Sequence, residues 1–586
     1  MNRQEADILQ TLLRKRFINQ RLLAEASGYS LGTVNRSLKS LLADGYIDDN
    51  IELTDRARKE CTAKTPRNAV ILAAGFGMRM VPINLSAPKA FLEVKGEPLI
   101  VRIIKQLHDV GVKDITVVVG FMKESFEHLI DDYGVELAVN NDYAGRNNLS
   151  SLALVADHIS NTYIIPSDIW CADNPFNSHE MYSWYMVSDA VDNRSDVRVN
   201  RKMELVKKGK HTAGNAMIGI AYLLEEDAAK VRENVKSAAG CGEHDDDFWE
   251  ISLYNDDRMI IPARVADARK VVEIDTYEQL RELDSGSNSL RSDVMDMIGE
   301  VFSISSEEIM DISVLKKGMT NRSFLFSVHG EKYIMRIPGE GTDRLINRVQ
   351  EAEVYNTISG YGLCDDPVYL NPENGCKITK YLENVRVCDT DSTSDLKRCM
   401  KILREFHRLH LNVSHTFDIF AQIDFYDMLR GKPSIYKDYR QTRENVLSLK
   451  SFIDKLDKDW CLTHIDAVPD NFLFYKTGDG EALQLIDWEY SGMQDPHVDI
   501  AMFAIYSLYD KRQVDTLIDI YFEDRCDMST RIKIYCYIAM CGLLWSNWCE
   551  FKAKLGVEFG EYSLRQYRYA KDYYRYAVKE MMQNLV

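Results

Sequence analysis

The sequence predicts a multidomain protein in which a small α(+β) module is followed by an α/β domain and then by an α+β domain. The chain has 586 residues, about four times the usual ~150-residue domain. Linker-like segments occur at residues 65–67 and 284–289. After the first of them, the hydrophobic pattern changes from helical spacing to alternating strands and helices. We therefore expect domains at residues 1–66, 67–285 and 290–586.

The composition is that of an ordinary globular protein, with 45% hydrophobic and 28% charged residues. The net charge of −18 disfavours a general polyanion binder, although residues 1–66 carry eleven Lys or Arg against nine Asp or Glu. Twelve cysteines occur without a Cys-x-x-Cys pair, and no secretory signal or ~20-residue apolar span is visible. The sequence therefore predicts a cytoplasmic protein with reduced thiols and no membrane anchor.

Three short segments with helical spacing lie within residues 4–43, and a ribbon pattern follows at residues 48–54. This order resembles the winged helix-turn-helix modules of bacterial transcription regulators. The resemblance implies that residues 31–42 form the recognition helix, which would enter the major groove of DNA. The side chains that would meet bases or phosphates are Thr33, Asn35, Arg36 and Lys39. Two interpretations of residues 1–66 stay open: DNA binding, and docking or dimerisation without DNA.

The second domain begins with a strand at residues 68–73 that runs into a glycine-rich turn. Such a turn lets backbone N–H groups approach phosphates. Pro88 and Lys89 follow about ten residues beyond the turn, and residues 114–133 form a second strand–helix pair. Residues 72–79 (LAAGFGMR) together with Pro88-Lys89 resemble the nucleotidyltransferases that make nucleoside-diphosphate sugars and CDP-alcohols. The resemblance implies a Rossmann-like mixed sheet.

The same resemblance implies roles for individual residues. The cations of Arg79 and Lys89 would neutralise charge that builds on the α-phosphate of CTP, which makes both candidate catalytic residues. Asp168 and Asp275, on separate strand ends, would bind Mg²⁺, which prefers a few hard oxygens together with substrate phosphate. The candidate nucleotide-binding residues of this domain are Ala73, Ala74, Gly75, Gly77, Arg79, Lys89, Asn148 and Ser167.

A closer similarity is to the bacterial phosphocholine cytidylyltransferases. The segments that carry it are residues 147–152, 248–250 and 273–275. In that subfamily a carboxylate and aromatic rings surround the quaternary ammonium, which implies Glu273 and Trp249 here. Residues 195–201 depart from the pattern, because basic residues stand where a further aromatic residue is expected. Phosphoethanolamine and 2-aminoethylphosphonate therefore stay open as substrates.

The C-terminal part contains Asp466, then Asn471 five residues later, and Asp487 sixteen residues after that on a strand. This spacing is the layout of kinase-fold phosphotransferases. Asp466 would accept the proton of an attacking hydroxyl, whereas Asn471 and Asp487 would bind the Mg²⁺ ions that bridge ATP phosphates. Residues 317–324 look like a nucleotide-covering loop, which makes Asn321 a candidate nucleotide-binding residue.

This region resembles the choline and ethanolamine kinases, which implies a two-lobed protein-kinase-like fold. Arg336 would replace the usual strand-borne lysine that contacts ATP, with Glu351 as its ion-pair partner. Trp545 and Trp548 match the paired tryptophans of choline kinases, and at i and i+3 on a helix they would wall a trimethylammonium pocket. Glu489 would add a counter-charge.

The predicted function is bifunctional synthesis of CDP-choline for phosphocholine decoration of the cell surface. ATP would phosphorylate choline, and CTP would then donate a cytidylyl group to phosphocholine, with Mg²⁺ at both sites. Two alternatives stay open: the same chemistry on ethanolamine or 2-aminoethylphosphonate, and a transcription regulator that senses choline or CDP-choline. The expected partners are the small-molecule substrates; DNA and a homodimer stay open, and no membrane is expected.

Overall fold

The computed structural model separates into two compact units, Met1–Val314 and Leu315–Val586. The residues it describes are 1–17, 19–77, 80, 82, 87–143, 145–193, 195–209, 213–315, 321–339, 345–364, 366–478, 480–554, 557 and 559–584. The division into three domains at residues 1–66, 67–285 and 290–586 stays a prediction.

Helices and strands of the first unit alternate through most of its length. The helices are α1 (Arg3–Arg14), α2 (Gln20–Ser27), α3 (Leu31–Ala43), α4 (Asp55–Ala63), α5 (Leu99–Asp109), α6 (His128–Tyr133), α7 (Asn148–Leu154), α8 (Glu225–Ala239), α9 (Tyr277–Leu283) and α10 (Asp293–Phe302). The strands are β1 (Asn68–Ala73), β2 (Glu93–Val94), β3 (Glu97–Pro98), β4 (Asp114–Val119), β5 (Glu136–Val139), β6 (Thr162–Pro166), β7 (Ile169–Cys171), β8 (Trp184–Asp192), β9 (Val197–Val199), β10 (Glu204–Lys207), β11 (Gly214–Leu223), β12 (Tyr254–Asn255), β13 (Arg258–Ala266), β14 (Val271–Glu273) and β15 (Met310–Val314).

The N-terminal module is the predicted winged helix-turn-helix. Its first three helices are amphipathic, and each contributes to one small core, for example through Ile8, Leu23 and Val34. The predicted ribbon is shorter than expected, because only an isolated antiparallel bridge between Ile47 and Leu53 is formed. The outer side of α3 is left exposed to solvent.

The central domain has the predicted mixed sheet, with strand order β5-β4-β1-β6-β11-β8-β13-β10-β9 and β12 beside β13. Strand β1 runs parallel to both β4 and β6, whereas β11 is antiparallel to β6 and β8. The carboxyl ends of β1 and β6 therefore meet at one edge of the sheet. There the Ser167 N–H donates to the carbonyl of Leu72 at 3.1 Å, which places the glycine-rich turn beside Asp168.

A buried ion pair of the central domain lies where the winged helix contacts it. Both oxygens of the Glu180 carboxylate accept hydrogen bonds from Arg264, at 3.1 and 2.8 Å. Tyr163 donates to the same carboxylate at 2.9 Å, and the Gln10 amide of α1 donates at 3.3 Å. Burial alone would raise the pKa of Glu180, but the Arg264 charge and these hydrogen bonds lower it overall. Glu180 is therefore a buried, charged carboxylate, and the positive charge of Arg264 compensates it.

We expect Arg264→Met to lower the free energy of unfolding of the first unit by about 3–5 kcal/mol, because it leaves the Glu180 charge buried without its cation. Urea unfolding of the full chain, followed by tryptophan fluorescence, measures this loss. Arg269→Met is the matched control, since the Arg269–Asp267 ion pair lies at the surface, and it should leave the transition nearly unchanged. Equal losses in the two variants would contradict the assignment.

The second unit contains two groups of elements. The helices are α11 (Arg348–Ile358), α12 (Thr393–Arg408), α13 (Ile419–Arg430), α14 (Tyr439–Ser448), α15 (Lys450–Ile453), α16 (His497–Tyr506), α17 (Lys511–Phe522), α18 (Met528–Ala553) and α19 (Glu561–Asn584). The strands are β16 (Asn321–Val328), β17 (Glu331–Pro338), β18 (Tyr369–Leu370), β19 (Lys377–Lys380), β20 (Cys461–Thr463), β21 (Phe472–Thr477), β22 (Gly480–Leu485) and β23 (Gly492–Gln494).

These elements form the predicted two-lobed, kinase-like fold. Strands β16, β17, β19 and β18 pair antiparallel in that order and belong to the smaller lobe together with α11. The larger lobe packs around α18, which is buried on nearly every face because apolar residues surround its whole circumference. Across the described part of the chain, we found no helix with the length and apolar character that a membrane crossing requires.

Candidate active sites

Three carboxylates meet at the sheet edge of the first unit. Asp168 directly follows β6, whereas Glu273 ends β14 and Asp275 comes two residues later. Because β14 pairs antiparallel with β7, Glu273 lies opposite Ile169. The Ile274 N–H also donates to the Asp168 carbonyl at 3.0 Å. One oxygen from each of the three carboxylates lies within 4.8 Å of the others, so residues that are about a hundred positions apart share one site.

The Lys89 ammonium lies between two of these carboxylates. It donates to Asp168 Oδ2 at 2.6 Å and to Asp275 Oδ1 at 2.8 Å. Burial by itself lowers the pKa of Lys89, but the two carboxylates outweigh it and raise the pKa to about 12. Gly77 has φ +63°, and a Cβ atom there would lie 3.3 Å from the Lys89 Cβ, so a glycine suits both the turn and the lysine. Arg79 lies outside the described residues.

The acidic cluster fits a divalent cation. Asp168 Oδ1 is buried and has no hydrogen-bond partner among the described residues, although Oδ2 is paired with Lys89. Burial, together with the charges of Asp168 and Asp275, raises the pKa of Glu273. A divalent cation would relieve this repulsion, and hard carboxylate oxygens are the ligands that Mg²⁺ prefers.

A cavity of about 120 Å³ adjoins this cluster. The predicted residues that line it are Ala74, Gly75, Asn148 and Asp168. Asn148 begins α7, and its side-chain oxygen accepts a hydrogen bond from the Trp249 N–H at 2.8 Å. Ala73 and Ser167 are buried at the ends of the two strands beneath the cavity. Arg146 and Tyr143 line the cavity but were not predicted; a basic residue just before the Asn-Asn start of α7 was the available signal for Arg146.

The aromatic residue predicted for the substrate lies in the core. The Trp249 side chain is fully buried, and its ring centroid lies 6.1 Å from that of Tyr185. Its neighbour Glu250 accepts a hydrogen bond from the Tyr185 hydroxyl at 3.0 Å, while Glu250 Oε2 has no partner among the described residues. Burial raises the pKa of Glu250 to about 7, and its charge contributes to the raised pKa of Glu273. Glu250 is therefore a candidate substrate-binding carboxylate that was not predicted.

The smaller lobe of the second unit brings Arg336 and Glu351 together, as the sequence implied. Arg336 on β17 donates from both terminal nitrogens to the Glu351 carboxylate on α11, at 2.6 and 2.9 Å. Arg348 donates to the same carboxylate at 3.0 Å. Burial alone would raise the pKa of Glu351, but the hydrogen bonds and positive charge of Arg336 lower it overall. The ion pair fixes the Arg336 side chain at the wall of a large cavity.

The segment with Asp466 and Asn471 is held in a constrained loop. Asn471 donates from its amide to the Asp466 carbonyl at 2.8 Å and to the Asp466 carboxylate at 3.3 Å. The Ile486 N–H donates to the Asn471 carbonyl at 2.9 Å, which brings Asp487 beside the loop. Ile465 and Asp487 have φ +70° and +68°. Left-handed backbone is costly for such side chains and is typical of functional sites.

Asp499 stabilises this loop and was not predicted. Its fully buried carboxylate accepts hydrogen bonds from the N–H groups of His464, at 3.0 Å, and Ile465, at 2.7 Å. The ring nitrogen Nε2 of His407 lies 2.9 Å from Asp499 Oδ2. A lone acid within the apolar stretch of α16 was the available signal, because a buried carboxylate needs partners. His407 therefore supports the loop through Asp499.

A cavity of about 900 Å³ joins these groups to an aromatic pocket. The predicted residues that line it are Asn321, Arg336, Asp466, Asn471, Asp487, Glu489, Trp545 and Trp548. Trp545 and Trp548 stand one turn apart on α18, with ring centroids 5.2 Å apart and planes at 79°. Burial and the charges of Asp487 and Glu489 raise the pKa of Asp466 to about 8, which marks a group suited to accept a proton. Residues 317–320 of the predicted nucleotide-covering loop lie outside the described residues.

Glu489 lies in this cavity, but its carboxylate already pairs with arginine side chains of the chain itself. Its Oε2 atom is 3.6 Å from Arg336 Nη1 and 3.4 Å from Arg348 Nη1. The Asn321 amide also donates to it at 3.2 Å. Glu489 is thus joined to the Arg336–Glu351 network.

Three family models match successive parts of the chain. They are described as a winged helix-turn-helix DNA-binding domain over residues 1–48, a MobA-like NTP transferase domain over residues 69–199 and a choline/ethanolamine kinase over residues 312–568. The matches follow the order that the sequence predicted. The second covers Lys89 and Asp168 but not Glu273 or Asp275, and the third covers every residue described in the kinase cavity.

Individual relatives match the same parts. Protein LicA of Haemophilus influenzae is 30% identical over 272 residues, which are 42% of this chain and 76% of that protein. The choline-phosphate cytidylyltransferase of Streptococcus pneumoniae is 29% identical over 230 residues, 37% of this chain and 96% of the relative. The 2-aminoethylphosphonate cytidylyltransferase of Lancefieldella rimae is 30% identical over 227 residues, 37% of this chain and 92% of the relative. The chain thus belongs to the choline/ethanolamine kinase family through its C-terminal half and to the NTP transferase family through its central part.

Proposed function

We propose that the chain makes CDP-choline in two steps, first phosphorylating choline with ATP and then transferring a cytidylyl group from CTP to phosphocholine. The observation that carries the proposal is that Asp466, Asn471 and Asp487 line one cavity with an aromatic pocket, while the first unit holds a separate cluster of acids with a lysine. The product of the first reaction is the substrate of the second.

In the kinase step, the choline hydroxyl attacks the γ-phosphorus of ATP, and the bond to the β–γ bridging oxygen breaks to release ADP. Asp466 accepts the hydroxyl proton, and the Trp545 and Trp548 rings hold the cationic end through cation–π attraction. Arg336, fixed by Glu351, contacts the phosphates. Asn471 and Asp487 are the residues that would hold Mg²⁺, which supplies charge neutralisation to the phosphates when bound.

In the cytidylyl step, a phosphate oxygen of phosphocholine attacks the α-phosphorus of CTP, and pyrophosphate leaves. Lys89 stabilises the negative charge that develops on the phosphate oxygens. Asp168 and Asp275 would hold Mg²⁺, which supplies charge neutralisation to the triphosphate. The backbone turn at residues 74–77 accommodates the nucleotide phosphates, and Glu273 and Glu250 face the cationic headgroup.

A substrate panel tests this proposal and identifies the amine. Choline and ethanolamine are offered with ATP and read for ADP; phosphocholine, phosphoethanolamine and 2-aminoethylphosphonate are offered with CTP and read for pyrophosphate. We expect choline and phosphocholine to be preferred in the respective reactions. Preference for 2-aminoethylphosphonate, the substrate in the name of one relative, would contradict the choline assignment while leaving the cytidylyl chemistry intact.

A second function, DNA binding by the winged helix, is favoured by the orientation of α3. Val34 and Leu38 face the core, whereas Arg36 and Lys39 are exposed, as side chains that enter a groove must be. This would add regulation to the enzyme. A regulator that only senses choline or CDP-choline is not favoured, because it has no need of the proton acceptor Asp466 or of the cluster of three carboxylates in the first unit. A cytoplasmic location and a homodimer stay predictions.

Arg36→Ala is expected to weaken binding to the DNA upstream of the coding sequence about tenfold and to reduce the salt dependence of binding. Fluorescence anisotropy at several salt concentrations measures both effects. Lys230→Ala, which removes an exposed cation from α8, is the matched control and should bind as the wild-type chain does. A wild-type chain without affinity for this DNA would indicate a docking module.

A further inference from the structure

We propose that Asp470, and not Glu489, supplies the negative charge that recognises the cationic end of the alcohol in the kinase cavity. The inference rests on the proposed choline kinase function and names the acid that gives it selectivity for a cation. Asp470 lies four residues after the proton acceptor Asp466, in the same loop, and both side chains line the same cavity.

Aromatic rings form a continuous chain along the wall of this cavity, from beside Glu489 to Asp470. The successive ring contacts are Tyr490–Trp545 at 6.2 Å, Trp545–Trp548 at 5.2 Å, Trp548–Phe559 at 5.0 Å, Phe559–Tyr562 at 6.4 Å and Tyr562–Tyr506 at 6.0 Å between centroids. The Tyr506 hydroxyl then donates to Asp470 Oδ2 at 2.7 Å. An acid therefore stands at each end of the aromatic wall, and either is in principle available to a bound cation.

The acid at the first end, Glu489, is already paired with two arginines of the chain itself. Glu489 lies within 3.6 Å of two guanidinium groups, those of Arg336 and Arg348, and accepts a hydrogen bond from Asn321. A quaternary ammonium has no N–H group with which to compete for that carboxylate. It would also approach the two arginines, whose positive charges repel it. Glu489 is thus suited to position Arg336 for the phosphates of ATP.

The acid at the second end carries an uncompensated charge. No ion pair joins Asp470 to a lysine, arginine or histidine among the residues that the structure describes, and its recorded partner is the neutral Tyr506 hydroxyl. Asp470 is exposed at the cavity mouth, so its carboxylate stays hydrated in the free protein without a desolvation cost. A bound cation displaces part of that water and strengthens the attraction.

Asp466 lines the same cavity as the rings next to Asp470, Tyr506 and Tyr562. Burial raises the pKa of Tyr562, and the charge of Asp466 adds to the rise, as it does at Tyr506. The charge of Asp466 likewise adds to the raised pKa of Tyr490 at the other end of the wall, so the proton acceptor is within electrostatic reach of both ends. Only two carbon atoms separate the hydroxyl from the ammonium in choline, so an alcohol whose hydroxyl meets Asp466 keeps its cationic end inside this cavity, and the charge of the acid at each end of the wall decides between them.

The test compares choline with its uncharged isostere 3,3-dimethylbutan-1-ol in the full chain. We expect Asp470→Asn to raise both the dissociation constant and the KM for choline about three- to tenfold, while the affinity for the neutral alcohol and the KM for ATP stay unchanged. Asp470→Glu should restore most of the affinity for choline. Asp391→Asn removes an exposed acid that does not line the cavity and should have no effect.

Calorimetric titration with choline and with the neutral alcohol tests the role of Asp470 without turnover. ADP release in the presence of choline tests the proposed kinase function. If Asp470→Asn weakens choline and the neutral alcohol equally, or neither, the inference is wrong. If the wild-type chain binds choline but releases no ADP, the kinase function is wrong, whereas a charge-selective loss in Asp470→Asn still supports the inference. A wild-type chain that does not bind choline overturns both.

Discussion

Asp466→Asn is expected to slow ADP release with choline about 10²–10⁴-fold and to leave pyrophosphate release from CTP and phosphocholine unchanged. The substitution keeps the shape of the side chain and its contact with Asn471, but it removes the group that accepts the hydroxyl proton. Because the substituted residue belongs to the second unit and the cytidylyl site to the first, the cytidylyl reaction serves as an internal control for the amount of active chain.

The kinetic pattern distinguishes a proton acceptor from a structural residue. Loss of the acceptor should lower kcat for choline while the KM for ATP stays within about twofold. The Asp391→Asn chain should match the wild type in both reactions. A chain carrying Asp466→Asn that phosphorylates choline at more than about a tenth of the wild-type rate would contradict the role of Asp466.

Asp275→Asn is expected to give the reciprocal result, with pyrophosphate release lowered about 10²–10³-fold and choline phosphorylation unchanged. The substitution removes one of three carboxylates that lie within 4.8 Å of one another and also a partner of Lys89. It therefore disturbs both the proposed Mg²⁺ site and the cation that stabilises the α-phosphate.

Titration with Mn²⁺ in the presence of CTP, read by electron paramagnetic resonance, provides a measurement independent of turnover. Weaker Mn²⁺ binding is expected for Asp275→Asn but not for Asp173→Asn, an exposed acid that pairs with Lys270 on the surface. Unchanged Mn²⁺ binding together with unchanged pyrophosphate release would contradict the assignment of Asp275.

The parts of both sites that the sequence predicted are those encoded by local spacing. Asp466 and Asn471 share one loop, and Asp487 follows the next strand pair, so a short pattern contains most of the geometry. Lys89, Asp168 and Asp275 lie far apart in the chain, but each follows a recognisable strand or turn. The parallel strands β1 and β6 bring the glycine-rich turn and Asp168 to one edge, and the antiparallel pairing of β14 with β7 brings Asp275 beside them.

The contacts that depend on the packing of side chains were harder to predict. Trp249 and Glu250 are adjacent in a 3₁₀-helix (Trp249–Leu253), so one faces the core and the other approaches the acids. The sequence favoured the Trp249 ring as the substrate contact, but the geometry of the 3₁₀-helix places that ring in the core. Likewise, Glu489 is two residues from Asp487 in sequence, yet two arginines from other elements, β17 and α11, pair with its carboxylate. Such tertiary ion pairs leave no periodic signal.

The conversion of choline to CDP-choline by the purified chain alone tests the central claim most directly. The chain is incubated with choline, ATP, CTP and Mg²⁺, and the products are followed by ³¹P NMR. We predict that ADP, pyrophosphate and CDP-choline appear together, with phosphocholine as the intermediate. Accumulation of phosphocholine without CDP-choline, or no consumption of ATP, would contradict a bifunctional enzyme.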